Sequence, residues 1–145
     1  LGVSKLLVPN ITLHETLDQM KLPLEIFHPV NLTLDHLKRN QISEFYLFGT
    51  LYIMNSDYLR FKFQKEGISL LKPTAYDQKW IDDFRKKVFK EEESNSEIEN
   101  FQNLIQKYSV ENRVVIACTE LSVHALKNTS SCIDMAELQI DECLK

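Results

Sequence analysis

The chain has 145 residues, 43% of them hydrophobic and 26% charged, with a formal net charge of -4 and an isoelectric point near 5.6. These values suit one globular unit with a packed core and give no electrostatic footprint for nucleic acid, which is held by clustered Lys and Arg. No apolar run approaches the roughly 20 residues that cross a bilayer, and the N-terminus lacks the pattern of a secretory signal, so a cytoplasmic location without a membrane partner is expected.

Strand-like and helix-like segments alternate along the chain, the signature of βα units that feed a mainly parallel sheet. The first ten residues, Leu1 to Asn10, read as a short apolar strand with no lead-in, as if cut from a longer polypeptide, with Lys5 to Val8 as its strand core. Thr12 to Met20 is predicted as a helix, Leu24 to Phe27 as a strand after Pro23, and Leu32 to Lys38 as a helix through Leu34 and Leu37. Phe45 to Phe48 is a continuous apolar run stopped by Gly49, which suits a strand covered on both faces. Tyr52 to Glu66 is predicted as one helix ended by Gly67, and Ile68 to Leu71 as a strand stopped by Pro73.

Ile81, Phe84 and Val88 then recur at helical spacing between Asp77 and Lys90, and Trp80 beside them suits a core or surface role. The polar run from Glu91 to Ser96 reads as a solvated loop, followed by a helix marked by Ile98, Phe101, Leu104 and Ile105. Arg113 to Ala117 is the clearest strand of all, and Cys118 follows it directly.

In parallel α/β sheets, ligands gather where strands end and helices begin, because backbone N–H groups and the helix dipole favour an anion there. Three such corners stand out: residues 10 to 14, with Asn10, Thr12 and His14; Gly49 with Thr50; and Cys118 with Thr119 and Glu120. A cysteine at a strand end that opens onto a helix start is placed to have a lowered thiol pKa and to act as thiolate. Thr119 could present a hydroxyl and an N–H to a substrate carboxylate, and Glu120 could orient that network or begin the helix. The plainer reading of Cys118 is a small buried hydrophobe, the commoner fate of a free cysteine.

His124 lies six residues beyond Cys118, but the pair lacks the further ligands of a zinc site, so no metal is expected. With three glycines in the whole chain there is no phosphate-cradling loop and no nucleotide cofactor is indicated. Cys132 and Cys143 read as packing thiols, since an odd, crowded set of three cysteines does not suit a disulfide framework.

The segment from Arg113 to Leu121, with Cys118-Thr119-Glu120, resembles the strand and Cys-Thr-Glu element of the aspartate/glutamate racemases. Phe48 to Tyr58 is similar to that family's Gly-Thr corner and the helix after it, and Ile133-Asp134 resembles the Asp that opens its last helix. The resemblance runs over essentially the whole chain in the right order. It implies an α/β fold of mainly parallel sheets with flanking helices, in two pseudo-symmetric lobes. Residues 31–120 would form the second lobe, and residues 1–30 with 121–145 an incomplete first one.

It also implies cofactor-independent racemisation of aspartate, glutamate or a related small amino acid. One thiolate removes the Cα proton, while a second thiol returns a proton on the opposite face. Cys118 would be one of these groups, with Thr12, Thr50, Thr119 and Glu120 about the substrate and His14 either closing the site or merely structural.

The first corner departs from the family pattern, because Asn10 stands at the position of the first cysteine and Ile11 at that of an asparagine. An amide has no proton to trade near neutral pH. Ile53 replaces a second hydroxyl, and the acidic run from Glu91 to Glu93 lies where a basic residue for a side-chain carboxylate is common. Three readings therefore stand: an isomerase acting at Cα, a scaffold that binds an amino acid or small carboxylic acid without turnover, and an α/β domain whose site is vestigial. An incomplete first lobe would expose apolar sheet, so a longer native protein or a homodimer that shields the gap is expected.

Overall fold

The computed structural model describes residues 2–126 and 129–145. Two parallel sheets carry the fold. The smaller joins β1 (Lys5–Leu6) to β2 (Glu25–Ile26), and the larger runs β4-β3-β5-β6, formed by β3 (Glu44–Phe48), β4 (Ser69–Leu71), β5 (Arg113–Ile116) and β6 (Cys132–Asp134). The α/β class and parallel pairing expected from the alternating pattern are therefore present.

The larger sheet is buried on both sides because its central strands are apolar at every inner position. Phe45 and Leu47 of β3, with Val115 of β5, enter one core, where Val30, Leu34 and Leu37 of α2 (Pro29–Arg39) and Leu59 and Phe63 of α4 (Asp57–Gln64) meet them. Phe48, Val114 and Ile116 point the other way, onto Ile81 and Phe84 of α5 (Ala75–Lys90) and Phe101 and Ile105 of α6 (Asn95–Ser109). This is the period-2 alternation of a pleated strand with both faces covered. Trp80 stacks on Phe84, with ring centroids 5.3 Å apart, at the edge of the second core.

Several boundaries differ from the sequence reading, each for a local reason. The helix expected from Thr12 to Met20 is a 3₁₀ turn at Ile11–Leu13 followed by α1 (His14–Leu17). The single helix expected from Tyr52 to Glu66 is two, α3 (Leu51–Met54) and α4. It breaks because Ser56 takes the Leu59 N–H as the N-cap of α4 and the Asn55 amide donates to Leu51 O, local bonds that compete with helix continuation. Gly67 does adopt the left-handed conformation expected of it, at φ 76°.

The polar run from Glu91 to Ser96 is not simply a solvated loop. Ser94 and Glu97 form a reciprocal capping box that starts α6, a Ser-x-x-Glu signal present in the sequence. Glu93 turns back to pair with His124 at 2.8 Å, and its side chain is only 15% exposed.

Beyond α7 (Thr119–Ser122), residues 132–134 hydrogen-bond into the larger sheet beside β5, not with β1 and β2. The helix that follows, α8 (Met135–Cys143), packs on α2, and Asp134 caps it by accepting the Ala136 N–H. The aspartate expected to open this helix does so. From α8, the fully buried Gln139 donates to Val8 O at 3.1 Å and Phe27 O at 2.7 Å, tying down the ends of both short strands.

Candidate functional site

The carboxyl ends of β1, β3 and β5 converge on a cavity of about 170 Å³ lined by residues 9–12, Thr50, Ile53, Arg85 and residues 117–120. That is below the roughly 300–1,000 Å³ of drug-sized ligand sites, which suits a small molecule. Asn10, Thr12, Thr50, Cys118, Thr119 and Glu120 thus share one space, although 108 positions separate the first from Cys118. A larger cavity, about 480 Å³, runs beside β6 and α8 past Arg113 and Asp141, and none of the expected site residues lines it.

Each corner is built by its own backbone chemistry. Asn10 caps the 3₁₀ turn, its Oδ1 accepting the Thr12 N–H at 3.0 Å, so the amide oxygen is occupied in holding the corner. Thr50 caps α3 by accepting the Ile53 N–H at 3.1 Å. Gly49 before it is required by space, because a Cβ there would lie 2.8 Å from Ile53 Cγ2. Ile53 is thereby fixed as an apolar wall of the cavity at the position expected to carry a hydroxyl.

Cys118 is the N-cap residue of α7, half-buried, and its Sγ donates to Glu120 Oε2 at 3.0 Å. The expected lowering of its pKa is reversed. Burial and the neighbouring Glu120 carboxylate push the thiol up to about 12, outweighing the Leu121 and Glu120 backbone N–H groups that pull it down. Burial also opposes charge on Glu120, but bonds from Cys118, its own backbone N–H and Thr119 Oγ1 hold its carboxyl below the usual range. The resting pair is a neutral thiol donating to a carboxylate.

His14 does not line the cavity. It is fully buried, with Nε2 2.8 Å from Val8 O and its ring edge-on to His28 at 4.5 Å, which fits the structural reading and not a role in closing the site. His28 accepts the Asn31 N–H at Nδ1, so its proton sits on Nε2, 3.1 Å from Asp18 Oδ1. Asp18 also accepts from Tyr58 at 2.6 Å and Lys62 at 2.5 Å. This cluster clasps the segment that carries Asn10 and Thr12 onto α4.

Arg85 is the cavity residue that the sequence reading missed. It follows Ile81 by one helical turn, so the apolar stripe of α5 marks its face, and that spacing was the available signal. Cys132 and Cys143 lie outside the cavity, and burial raises the Cys132 thiol to about 12, in keeping with a packing role. Among the described residues no group of three or more His, Cys, Asp or Glu is placed to hold a metal ion, and no helix is long and apolar enough to cross a membrane.

A parallel α/β frame thus holds a thiol, three threonines and a cation around a small cavity at its strand ends. No protein-family model matches the sequence, and no curated protein matches it. Solved structures do share the fold. A candidate Asp/Glu racemase from Yersinia pestis superposes with a TM-score of 0.82 and 19% identity, over 99% of this chain and 68% of that one. An aspartate racemase homologue from Pyrococcus horikoshii OT3 gives 0.78 and 17% identity, over 99% of this chain and 66% of that one. The Picrophilus torridus aspartate racemase gives 0.78 and 20% identity, over 99% of this chain and 64% of that one. The chain therefore has the racemase fold and spans about two thirds of the length of each of these proteins.

Proposed function

We propose that this chain acts as a racemase-like isomerase at the Cα of aspartate, glutamate or a related small amino acid, without a cofactor. The observation that carries the reading is the convergence of Cys118, Thr12, Thr50 and Thr119 on one small cavity. Hydroxyls and backbone N–H groups at strand ends suit an α-carboxylate, and the Arg85 guanidinium suits a second carboxylate through its planar fork of donors.

Proton abstraction requires a thiolate, and the nearest acceptor for the Cys118 proton is Glu120, 3.0 Å away. In the forward step the Glu120 carboxylate takes the thiol proton and the Cys118 sulfur takes the proton from Cα. The electron pair left on Cα spreads into the substrate carboxylate. Return of the proton from sulfur restores the starting enantiomer, with solvent hydrogen incorporated if the thiol has exchanged. Inversion needs a proton on the opposite face, where Asn10 stands in place of a thiol and has none to give. Hydrogen exchange at Cα is accordingly expected to outpace inversion.

A specific observation favours the second reading, binding without turnover: the Asn10 amide oxygen is committed to Thr12 N–H and the thiol is neutral to about 12. The two readings separate in deuterium oxide. The full chain is incubated with D- and L-aspartate, glutamate and alanine, Cα deuteration and inversion are followed by NMR, and binding is followed by calorimetry. Deuteration that Cys118→Ala abolishes supports the isomerase. Binding without deuteration moves the protein to the second reading, and neither binding nor deuteration removes both.

A further inference from the structure

A carboxylate outside the cavity joins two of its walls. Asp82 lies on α5, only 4% exposed, and its two oxygens face three donors. Its Oδ1 accepts the Leu51 N–H at 3.2 Å and the Arg85 Nε–H at 3.0 Å, and its Oδ2 faces Lys86 Nζ at 2.6 Å. Burial opposes charge on this group, but Lys86, Arg85 and the Leu51 N–H outweigh it and keep the carboxyl below its usual range.

The two partners on Oδ1 matter most. Leu51 opens α3 directly after Thr50, and both Thr50 and Arg85 line the cavity. Thirty-one residues separate Leu51 from Asp82, so one carboxylate oxygen links the turn after β3 to the middle of α5. A bond at Nε fixes the plane of a guanidinium while leaving both Nη groups uncommitted to that partner, and a planar donor fork depends on that orientation. Lys86 alone would suffice to neutralise Asp82, so charge balance does not explain why Nε and an amide N–H share Oδ1.

We propose that Asp82 is a positioning residue of this cleft, setting the Arg85 guanidinium and the Thr50 corner in one register for a ligand carboxylate. It rests on the reading of the cleft as an amino acid site and touches no substrate itself.

The test is a double-mutant cycle of Asp82→Asn, Arg85→Gln and the double variant in the full chain, with circular dichroism to verify folding. Asparagine retains an oxygen for the Leu51 N–H but turns the bond between two charged groups at Arg85 Nε into a weaker one to a neutral amide. Calorimetry with aspartate and with alanine measures affinity. Loss of one hydrogen bond to a charged group corresponds to about tenfold or more. Asp82→Asn is expected to weaken aspartate binding by about tenfold, to change alanine binding less than twofold, and to add nothing in the Arg85→Gln background.

A second readout needs no ligand. The Arg85 charge helps to hold Glu120 ionised, so the Glu120 carboxyl is titrated by carbon-13 NMR in each variant. If Asp82 holds Arg85 at the cavity, its removal lets the guanidinium leave and the Glu120 midpoint rises, as in Arg85→Gln. If Asp82 only neutralises charge, Arg85 stays, the site becomes more positive and the midpoint falls.

A fallen or unchanged midpoint overturns the proposal, as do additive losses of aspartate affinity in the double variant. Failure of the wild-type chain to bind either amino acid removes the proposed function instead, and the Glu120 titration still decides whether Asp82 holds Arg85. Should Asp82→Asn not fold, Arg85→Lys replaces it. That variant retains the charge but has no Nε for Asp82 to hold, so it is expected to lose aspartate affinity as Arg85→Gln does, and wild-type affinity would overturn the proposal.

Discussion

The two sides of the cleft are held by different forces. The Cys118 and Thr50 corners stand on β5 and β3, whose Phe45, Leu47, Phe48, Val114, Val115 and Ile116 are all fully buried. The Asn10 corner stands on a two-residue strand, and in the first 27 residues only Ile11 and His14 are buried among those described. What holds it is polar: Gln139 and His14 on Val8 O, the Asp18 cluster on α4, and Tyr52 Oη donating to Glu15 at 3.0 Å. One wall is thus fixed by hydrocarbon burial, which is insensitive to pH, and the other by titratable groups, so acid should act on the cleft from one side.

Breaking the apolar wall should have the largest effect. Phe45→Ala removes a fully buried ring that packs edge-on against Phe63 at 4.8 Å. A loss of about 3–5 kcal/mol is expected in denaturant unfolding, nearly the same at pH 5 and pH 7.

The polar wall should respond to acid. Burial, with repulsion from Lys62 and His14, lowers the His28 pKa to about 4 despite the nearby Asp18 carboxylate. The neutral ring therefore contributes fully above its ordinary 6.5 and its contribution fades as pH falls toward 4. Asp18 is held below its ordinary 3.8, where lysine and tyrosine bonds outweigh burial, so it does not offset the loss in that window. Stability should drop by on the order of 2–3 kcal/mol between pH 6.5 and 4. In His28→Gln the slope over this range should be visibly flatter, and an unchanged slope would remove His28 as its source.

Two smaller substitutions sharpen the contrast. Gly49→Ala places a methyl group 2.8 Å from Ile53 Cγ2 and 3.4 Å from Ala117 O, so about 1–3 kcal/mol should be lost with no pH dependence. Tyr52→Phe removes only an exposed bond to Glu15 on the polar side. Its cost should stay below about 1 kcal/mol, and thermal unfolding resolves whether it does.

Much of the larger sheet was readable because its strands are continuous apolar runs and its helices carry clear stripes, as at Phe45 to Phe48 and at Ile81, Phe84 and Val88. The residues of the three corners were readable as strand-end positions, and the cavity does gather Asn10, Thr12, Thr50, Cys118, Thr119 and Glu120. The break at Asn55–Ser56 was hidden by an apolar pattern that runs through it. Arg85 was hidden because one cation among the five of α5 resembles its neighbours until the opposite wall is in place.

Local order along the chain determined the parallel α/β class and the positions of the corners, since periodicity and strand ends depend on neighbours a few residues away. Tertiary structure alone decided the ionisation of Cys118, the structural placement of His14, the pairing of Glu93 with His124 and the seat of β6 beside β5. Each of these depends on the dielectric surroundings or on a partner brought from a distant segment. The thiol shows why. A helix start predicts a lowered pKa, whereas burial and one carboxylate at 3.0 Å raise it to about 12.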